Sequence, residues 1–202
     1  MIIRAVLGEA MALASAITLA ACGAQQPISL AYVPATTSVA IPGAEKVRLD
    51  VVAVDKRTQF TDRVGTADRR RIVADGDVKE LVRSAIEREL TARGFIVAAG
   101  GLVITIELQN FYIDYTLSSS ADVAFSIRVR GDAGAGPTLY SHYYASTSKT
   151  HAAFGSANAG SKESLEEALA SAVKQVMEDR SLQAALLSGA AKPPSRSPRG
   201  PR

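Results

Sequence analysis

The chain has 202 residues, of which 47% are hydrophobic and 5% aromatic, and its formal net charge is +3. This composition fits a globular domain with an aliphatic core and excludes a collagen-like or largely disordered chain. The last twelve residues carry Lys192, Arg196, Arg199 and Arg202 and no acid. Without them and without residues 1–21, the chain has 18 basic and 19 acidic residues. We therefore expect no nucleic-acid-binding face.

The first 21 residues have the order of a secretory signal peptide. Arg4 lies near the start, an apolar run extends from residue 10 to residue 21, and the run ends in small residues. It is too short to span a bilayer, which needs ~20 apolar residues. We therefore predict that residues 1–21 are removed. Because Glu9 lies before the run and the start is only weakly basic, Met11 remains an alternative start.

The only cysteine follows this run. Leu19-Ala20-Ala21-Cys22 resembles the bacterial lipobox, in which the Cys sulfur receives a diacylglyceryl group before cleavage makes that Cys the first residue. The alternative is that Cys22 is an ordinary small apolar residue at the end of an N-terminal helix. A protein with several acyl chains leaves its membrane very slowly. Gly23, rather than Asp, after the cysteine favours the outer membrane, facing the periplasm.

Residues 22–46 contain three prolines and many small residues, which predicts an extended tether after the lipidated Cys22. At ~3.3 Å per residue its reach is at most about 80 Å. The piece ISLAYV, between prolines, could add a strand to a sheet edge.

A single α+β domain is predicted over residues 47–188. Residues 47–54 alternate like a first strand, and the polar residues 55–70 indicate a loop or hairpin. Asp77 and Glu80 form a capping box for a helix that ends at Gly94.

The second half of the domain predicts a short strand, a turn at Gly100 and Gly101, and three long strands in an antiparallel meander with one polar face. A second long helix, capped by Ser161 or Ser164, and a short turn close the domain. The order β-α-β-β-β-β-α places two long helices on one face of a mostly antiparallel sheet. Residues 189–202, rich in Pro, Ser and Arg, are predicted to be a disordered tail.

Several segments carry a family resemblance: IERELTARGFIV, ITIELQNFYIDYT, ADVAFSIRV and LEEALASAVKQVMEDRSLQAAL. In their pattern and order the chain resembles the YajG-like family of bacterial lipoproteins from about Leu49 to Leu187. The most specific piece is TARGF, at residues 91–95. The resemblance implies an outer-membrane lipoprotein of undefined role and no catalytic signature, and the Arg/Pro tail lies outside it.

Catalytic chemistry has little support in the sequence. His142 and His151, with Asp114 or Ser146, could form a hydrolytic triad, but no Gly-x-Ser-x-Gly elbow and no metal-binding spacing accompanies them. We therefore expect no enzyme activity, no metal site and no cofactor.

Six aromatic residues fall on two neighbouring strand segments: Phe111, Tyr112, Tyr115, Tyr140, Tyr143 and Tyr144. The first interpretation is cross-strand pairing within the sheet. The alternative is an exposed patch for a partner or an apolar ligand.

These observations favour a lipid-anchored binding or scaffolding module at the outer membrane. Its expected partners are membrane lipid, through acylated Cys22, and an envelope protein, and its oligomeric state stays open. The alternative is an auxiliary lipoprotein of an envelope transport system that handles an apolar cargo such as phospholipid. Such a carrier needs an apolar cavity of roughly 300 Å³ or more between sheet and helices.

Overall fold

A computed structural model describes residues 25–34, 39–67, 70–115, 119–131, 134–150 and 157–191. Within these ranges the chain forms one mixed sheet of eight strands with three α-helices packed on one face. The strands are β1 (Gln25–Ile28), β2 (Arg48–Asp55), β3 (Gly65–Ala67), β4 (Arg70–Ala74), β5 (Ile96–Val97), β6 (Leu102–Tyr115), β7 (Ser119–Arg130) and β8 (Thr138–Thr150). The helices are α1 (Val78–Ala92), α2 (Ala157–Glu178) and α3 (Arg180–Ala191), and a 3-10 turn covers Ala44–Lys46.

Strand β6 is the centre of the sheet. Along one edge, its first half pairs with β2 and its last residues pair with β3, both in parallel. Along the other edge it pairs with β7 in antiparallel register, and β7 pairs with β8 in the same way. A register shift between Leu108 and Asn110 interrupts the alternation of β6, so that Leu108 and Phe111 are both buried.

One face of the sheet is packed against the helices and the other is polar. The buried residues of β6 and β7 share one face with the apolar stripes of α1 and α2, and they form a single core cluster. On the opposite face, Arg128 pairs with Glu107 at 3.5 Å, and Gln109 Nε2 donates to Ser126 Oγ at 2.8 Å. The predicted α+β class, with a mostly antiparallel sheet and helices on one face, is confirmed.

The predicted element order is incomplete. Strands β3 and β4 pair in antiparallel register. Only β3 and the first residue of β4 lie within residues 55–70, so the predicted hairpin is confirmed in part and extends beyond that polar region. Strand β1 adds to β4 in parallel.

The segment after α2, predicted as a short turn, is the helix α3. Asp179 Oδ1 caps it by accepting hydrogen bonds from the backbone N–H groups of Ser181 and Leu182 at 2.7 and 3.2 Å.

The turn at Gly100 and Gly101 does not join a hairpin, which corrects the prediction. Strands β5 and β6 lie on opposite sides of β2, and both are parallel to it. Helix α1 lies in the crossover connection that returns the chain to β5 in the parallel direction. The chain must therefore pass closely over the start of β2. At Gly101, where φ is +148°, an added Cβ would lie 2.3 Å from the carbonyl oxygen of Arg48.

Helix α1 begins and ends where the sequence predicts. Asp77 accepts a hydrogen bond from Lys79 N at 3.0 Å, and Gly94 has a φ of +97°. A capping box also requires the Glu80 carboxylate to accept a hydrogen bond from the backbone N–H of Asp77. This part of the prediction is wrong, because Glu80 instead accepts from Arg83 Nε at 2.7 Å.

Neither Ser161 nor Ser164 caps α2, which begins at Ala157. Both serines are buried inside the helix, and Ser164 Oγ donates to the carbonyl oxygen of Gly160 at 2.9 Å. A serine within a helix can bond to the preceding turn in this way, so its presence does not mark a helix start.

The predicted outer boundaries also differ. Most of residues 22–46 are not an extended tether, because residues 25–34 and 39–46 include buried and partly buried side chains packed on the domain. At the other end, α3 continues to Ala191 rather than stopping before residue 189. The signal segment and residues 192–202 lie outside the described residues.

Candidate functional site

The segment after the predicted lipidation site is bound to the domain at several points. Ile28 and Tyr32 are 5% and 9% exposed. The Tyr32 hydroxyl donates to Glu89 Oε1 at 2.8 Å, and Ala31 N donates to Glu166 Oε1 at 2.7 Å. Burial, with the hydrogen bond to Glu89, raises the pKa of Tyr32 well above its usual value. We call residues 25–34 the N-terminal arm; it is held by α1 and α2 as well as by β4.

Cys22 itself lies outside the described residues, so its lipidation stays a prediction. The described chain starts three residues later, at Gln25, which is paired with Arg71 of β4. No helix in the described ranges is long and apolar enough to cross a membrane.

A polar cleft of about 290 Å³ lies where the end of β2, the end of β4 and the start of α1 meet. In its wall, Arg57 binds Asp55 through two contacts, Nη2 to Oδ2 at 2.7 Å and Nε to Oδ1 at 3.0 Å. The hydrogen bonds from Arg57 hold the pKa of Asp55 below its usual value. The hydrogen bond from Lys79 likewise lowers the pKa of Asp77. The lining therefore carries paired, permanent charges and suits water better than an acyl chain.

Beside this cleft, an aromatic stack lies on the face of the sheet that carries no helix. Phe60 stacks on Tyr112 with ring centroids 4.1 Å apart, and the Arg63 guanidinium lies 5.0 Å from the centre of the Phe60 ring. Among the described residues, Arg63 Nε has no hydrogen-bond partner, while the guanidinium makes a cation–π contact with the ring. Phe60 has a positive φ of 56°. The sequence carries no periodic signal for this stack, because Phe60 lies in a polar loop, outside the aromatic cluster of the long strands.

The predicted aromatic cluster does not form one exposed patch. Phe111 is buried and Tyr112 belongs to the stack on the helix-free face. The predicted pairing of these aromatic residues across two neighbouring strands is wrong, because β7 lies between β6 and β8. The ring of Tyr144 instead lies 6.1 Å from that of Phe125 on β7. Among the members whose side chains are described, Tyr143 is the exposed one, at 52%. The side chain of Tyr115 lies outside the described residues.

Tyr140 and Tyr144 instead form a hydrogen-bonded cluster with Asp179. Both hydroxyls donate to Asp179 Oδ2, that of Tyr144 at 2.9 Å. Burial and the bond to Asp179 raise the pKa of Tyr140 to about 12, and burial raises the pKa of Tyr144 further. Burial alone would raise the pKa of Asp179, but the bonds from both tyrosines and from two backbone N–H groups lower it below its usual value. The cluster is a structural link between β8 and the start of α3.

The residues proposed for a hydrolytic triad are not brought together around His142. His142 is exposed and paired with Ile127, on the face that carries the helices. Asp114 is exposed on the other face, next to the buried Ile113. Ser146 is four residues further along the same strand as His142, about 13 Å away. His151 lies outside the described residues.

Comparison with known proteins identifies the family. A family described as uncharacterized lipoprotein matches residues 34–187. The chain belongs to that family. The match starts after Cys22, so it supports the lipoprotein class without testing the lipidated residue. No curated protein is significantly similar to this lipoprotein in sequence.

One solved structure shows a similar fold, and others are more weakly similar. Protein XCC0632 from Xanthomonas campestris is 13% identical, with a TM-score of 0.57 over 75% of this chain and 92% of that one. A candidate lipoprotein from Caulobacter crescentus CB15 is 15% identical, with a TM-score of 0.45 over 74% and 93% of the two chains. A minor lipoprotein from Acinetobacter baumannii is 8% identical, with a TM-score of 0.43 over 68% and 92%. At these identities the likeness concerns the fold alone. Of the three structures, only XCC0632 has a TM-score high enough to support a shared fold.

Proposed function

We propose that this lipoprotein is a YajG-like protein of the bacterial outer membrane, anchored by acylated Cys22 and facing the periplasm. The observation that carries the proposal is the lipobox-like sequence at Leu19–Cys22, directly before a chain that folds into a lipoprotein-family domain. The first described residue, Gln25, leaves only Gly23 and Ala24 after the cysteine. Acylation of Cys22 would thus bind the whole domain to the membrane.

The proposed role is non-enzymatic binding or scaffolding. The interface between sheet and helices is densely packed, since Ile106, Phe125 and Leu169 are each 0% exposed. The polar cleft lies outside this interface and is lined by charged pairs. A carrier of phospholipid would need an apolar cavity of roughly 300 Å³ or more. These features favour the scaffold over the transport alternative.

Anchoring is tested by fractionating bacterial membranes after expression of the wild type, Cys22→Ser and Gly23→Asp. We expect the wild type in the outer membrane and Cys22→Ser in the soluble periplasmic fraction. Gly23→Asp keeps the acyl group but should move the protein to the inner membrane. Outer-membrane sedimentation of Cys22→Ser would contradict the proposal.

The scaffold and the carrier are separated by extracting lipid from the purified, acylated protein. A scaffold retains no phospholipid beyond the acyl groups on Cys22. One tightly held phospholipid per chain, released only on unfolding, would instead support the carrier.

A further inference from the structure

The N-terminal arm determines which end of the domain a lipid anchor would hold. We propose that the sheet end where β1 starts faces the bilayer, and that Arg70 and Arg71 there contact anionic phospholipid head groups. This inference rests on the proposed acylation of Cys22. Three residue steps separate Cys22 from Gln25, and at ~3.5 Å per step they span at most about 10 Å. The domain is therefore held close to the membrane instead of at the end of a long tether.

The strand register identifies the residues at this end. One row of paired residues crosses the sheet: Gln25, Arg71, Thr66, Asp114, Ser120 and Lys149. We call this row and the residues beyond it, Arg70 among them, the anchor end. Because Gln25 belongs to this row, the short link from Cys22 holds the β1 edge of this end near the lipid surface, next to Arg71.

The charges at the anchor end suit an anionic surface. Arg70 and Lys149 are exposed, and the Arg71 side chain is 52% exposed. Arg71 Nη1 also binds Asp62 Oδ2 at 2.9 Å, and that carboxylate is 54% exposed. Exposed pairs of this kind contribute little to stability, so a head-group phosphate can compete for the guanidinium. Asp114 is the exposed acid in the row itself.

The opposite end of the sheet is too distant to share these contacts. We call it the far end; it contains Arg48 at the start of β2, Ala99 before β6, and Arg130 at the end of β7. The 14 residues of β6 span about 45 Å between the two ends. In α3, Gly189 packs against Leu102 and Leu139, so the basic residues 192–202 follow a helix that ends at the far end.

Orientation can be measured with spin labels on the mature, acylated protein. Since acylation blocks the Cys22 sulfur, Ser120→Cys at the anchor end and Ala99→Cys at the far end each supply one free thiol. The labelled proteins are placed in vesicles of phosphatidylcholine and phosphatidylglycerol that contain a nickel-chelating lipid. We expect nickel to relax the label at position 120 much more strongly than the label at position 99. Equal relaxation, or stronger relaxation at position 99, would overturn the orientation.

A pair of charge-matched variants tests the head-group contact. In the Ser120→Cys background, R70E/R71E should weaken the relaxation roughly twofold or more in these vesicles. It should have no effect in vesicles of phosphatidylcholine and the chelating lipid alone. The control R48E/R130E changes the net charge equally at the far end and should leave the signal unchanged. Equal effects of the two variants, or no effect of R70E/R71E, would overturn the arginine contact.

Mass spectrometry of the same preparations separates a failure of the proposed anchoring from a failure of the proposed orientation. A chain without acyl groups overturns both the proposed anchoring and the orientation. An acylated chain whose two labels relax equally overturns the orientation alone.

Discussion

Tyr144 and Asp179 connect the last strand of the sheet to the junction of two helices. The Tyr144 hydroxyl donates to Asp179 Oδ2 at 2.9 Å, while Asp179 Oδ1 accepts from Ser181 N at 2.7 Å. One carboxylate thus caps α3 and fixes it against β8. Two tyrosines of the predicted aromatic cluster therefore point into the protein, whereas Tyr143, which lies between Tyr140 and Tyr144 in the sequence, points to solvent.

Replacing this carboxylate should destabilise the domain. Asp179→Ala removes a helix cap and leaves one of the two tyrosine hydroxyls without an acceptor, since the other can still donate to its neighbour at 2.6 Å. We therefore expect a loss of about 2–4 kcal/mol in the free energy of unfolding. Urea denaturation of the mature chain carrying Cys22→Ser measures it. The neighbouring Glu178→Ala, which removes an exposed carboxylate 3.7 Å from Lys174, should cost less than about 0.5 kcal/mol. Similar losses in both variants would disprove the link.

The same cluster predicts alkaline sensitivity. The pKa of Tyr140 is raised from 10.0 to about 12 in the folded protein. Because the folded-state pKa is the higher one, this stabilisation is complete below pH 10 and is lost as the pH rises towards 12. Urea midpoints measured across this range should fall more steeply for the wild type than for Tyr140→Phe. Tyr143→Phe, at the exposed neighbouring tyrosine, should follow the wild-type curve; a Tyr140→Phe curve parallel to both would refute the prediction.

Gly101 should tolerate no side chain. Gly101→Ala places a Cβ 2.3 Å from the Arg48 carbonyl oxygen, at a φ of +148°, and we expect a loss of about 3 kcal/mol or more. In the control Gly76→Ala, the new methyl group meets nothing within 4 Å, and the change should stay within about 0.5 kcal/mol. Thermal unfolding of both variants checks the comparison. A tolerated Gly101→Ala would mean that the chain does not cross β2 so tightly.

The N-terminal arm should be protected from hydrogen exchange in the wild type. Tyr32→Ala removes a buried ring and its hydrogen bond to Glu89, so amides such as Ala31 N should exchange faster while β6 stays protected. Val33→Ala, at a side chain 62% exposed, should leave the pattern unchanged. Rapid exchange of residues 25–32 in the wild type would restore the long tether that the sequence predicted.

Features set by neighbouring residues, such as helix ends and the buried face of a strand, could be predicted from the sequence. Asp77 and Gly94 marked the ends of α1 because a cap and a left-handed stop are local chemistry. The alternation in β6 and β7 predicted their buried face for the same reason. The pairing of β2 with β6 could not be predicted in this way, since strand partners depend on contacts far apart in the chain.

The candidate site was predictable only in part. The short motif Leu19–Cys22 predicts the lipidation site. It does not predict that the N-terminal arm, a few residues later, packs on the domain. The piece QQPI has weak strand character, and its position in β1 depends on β4 and on the distant Glu89 and Glu166. The Phe60 stack was likewise hidden, because a single aromatic residue in a polar loop carries no periodic signal.

Mass spectrometry of the N-terminal peptide from the native protein tests the central claim most directly. We expect a mature chain that begins at Cys22 with acyl groups on that residue, followed by Gly23 and Ala24. A chain that still begins at Met1 or Met11, or an unmodified thiol at Cys22, would contradict it.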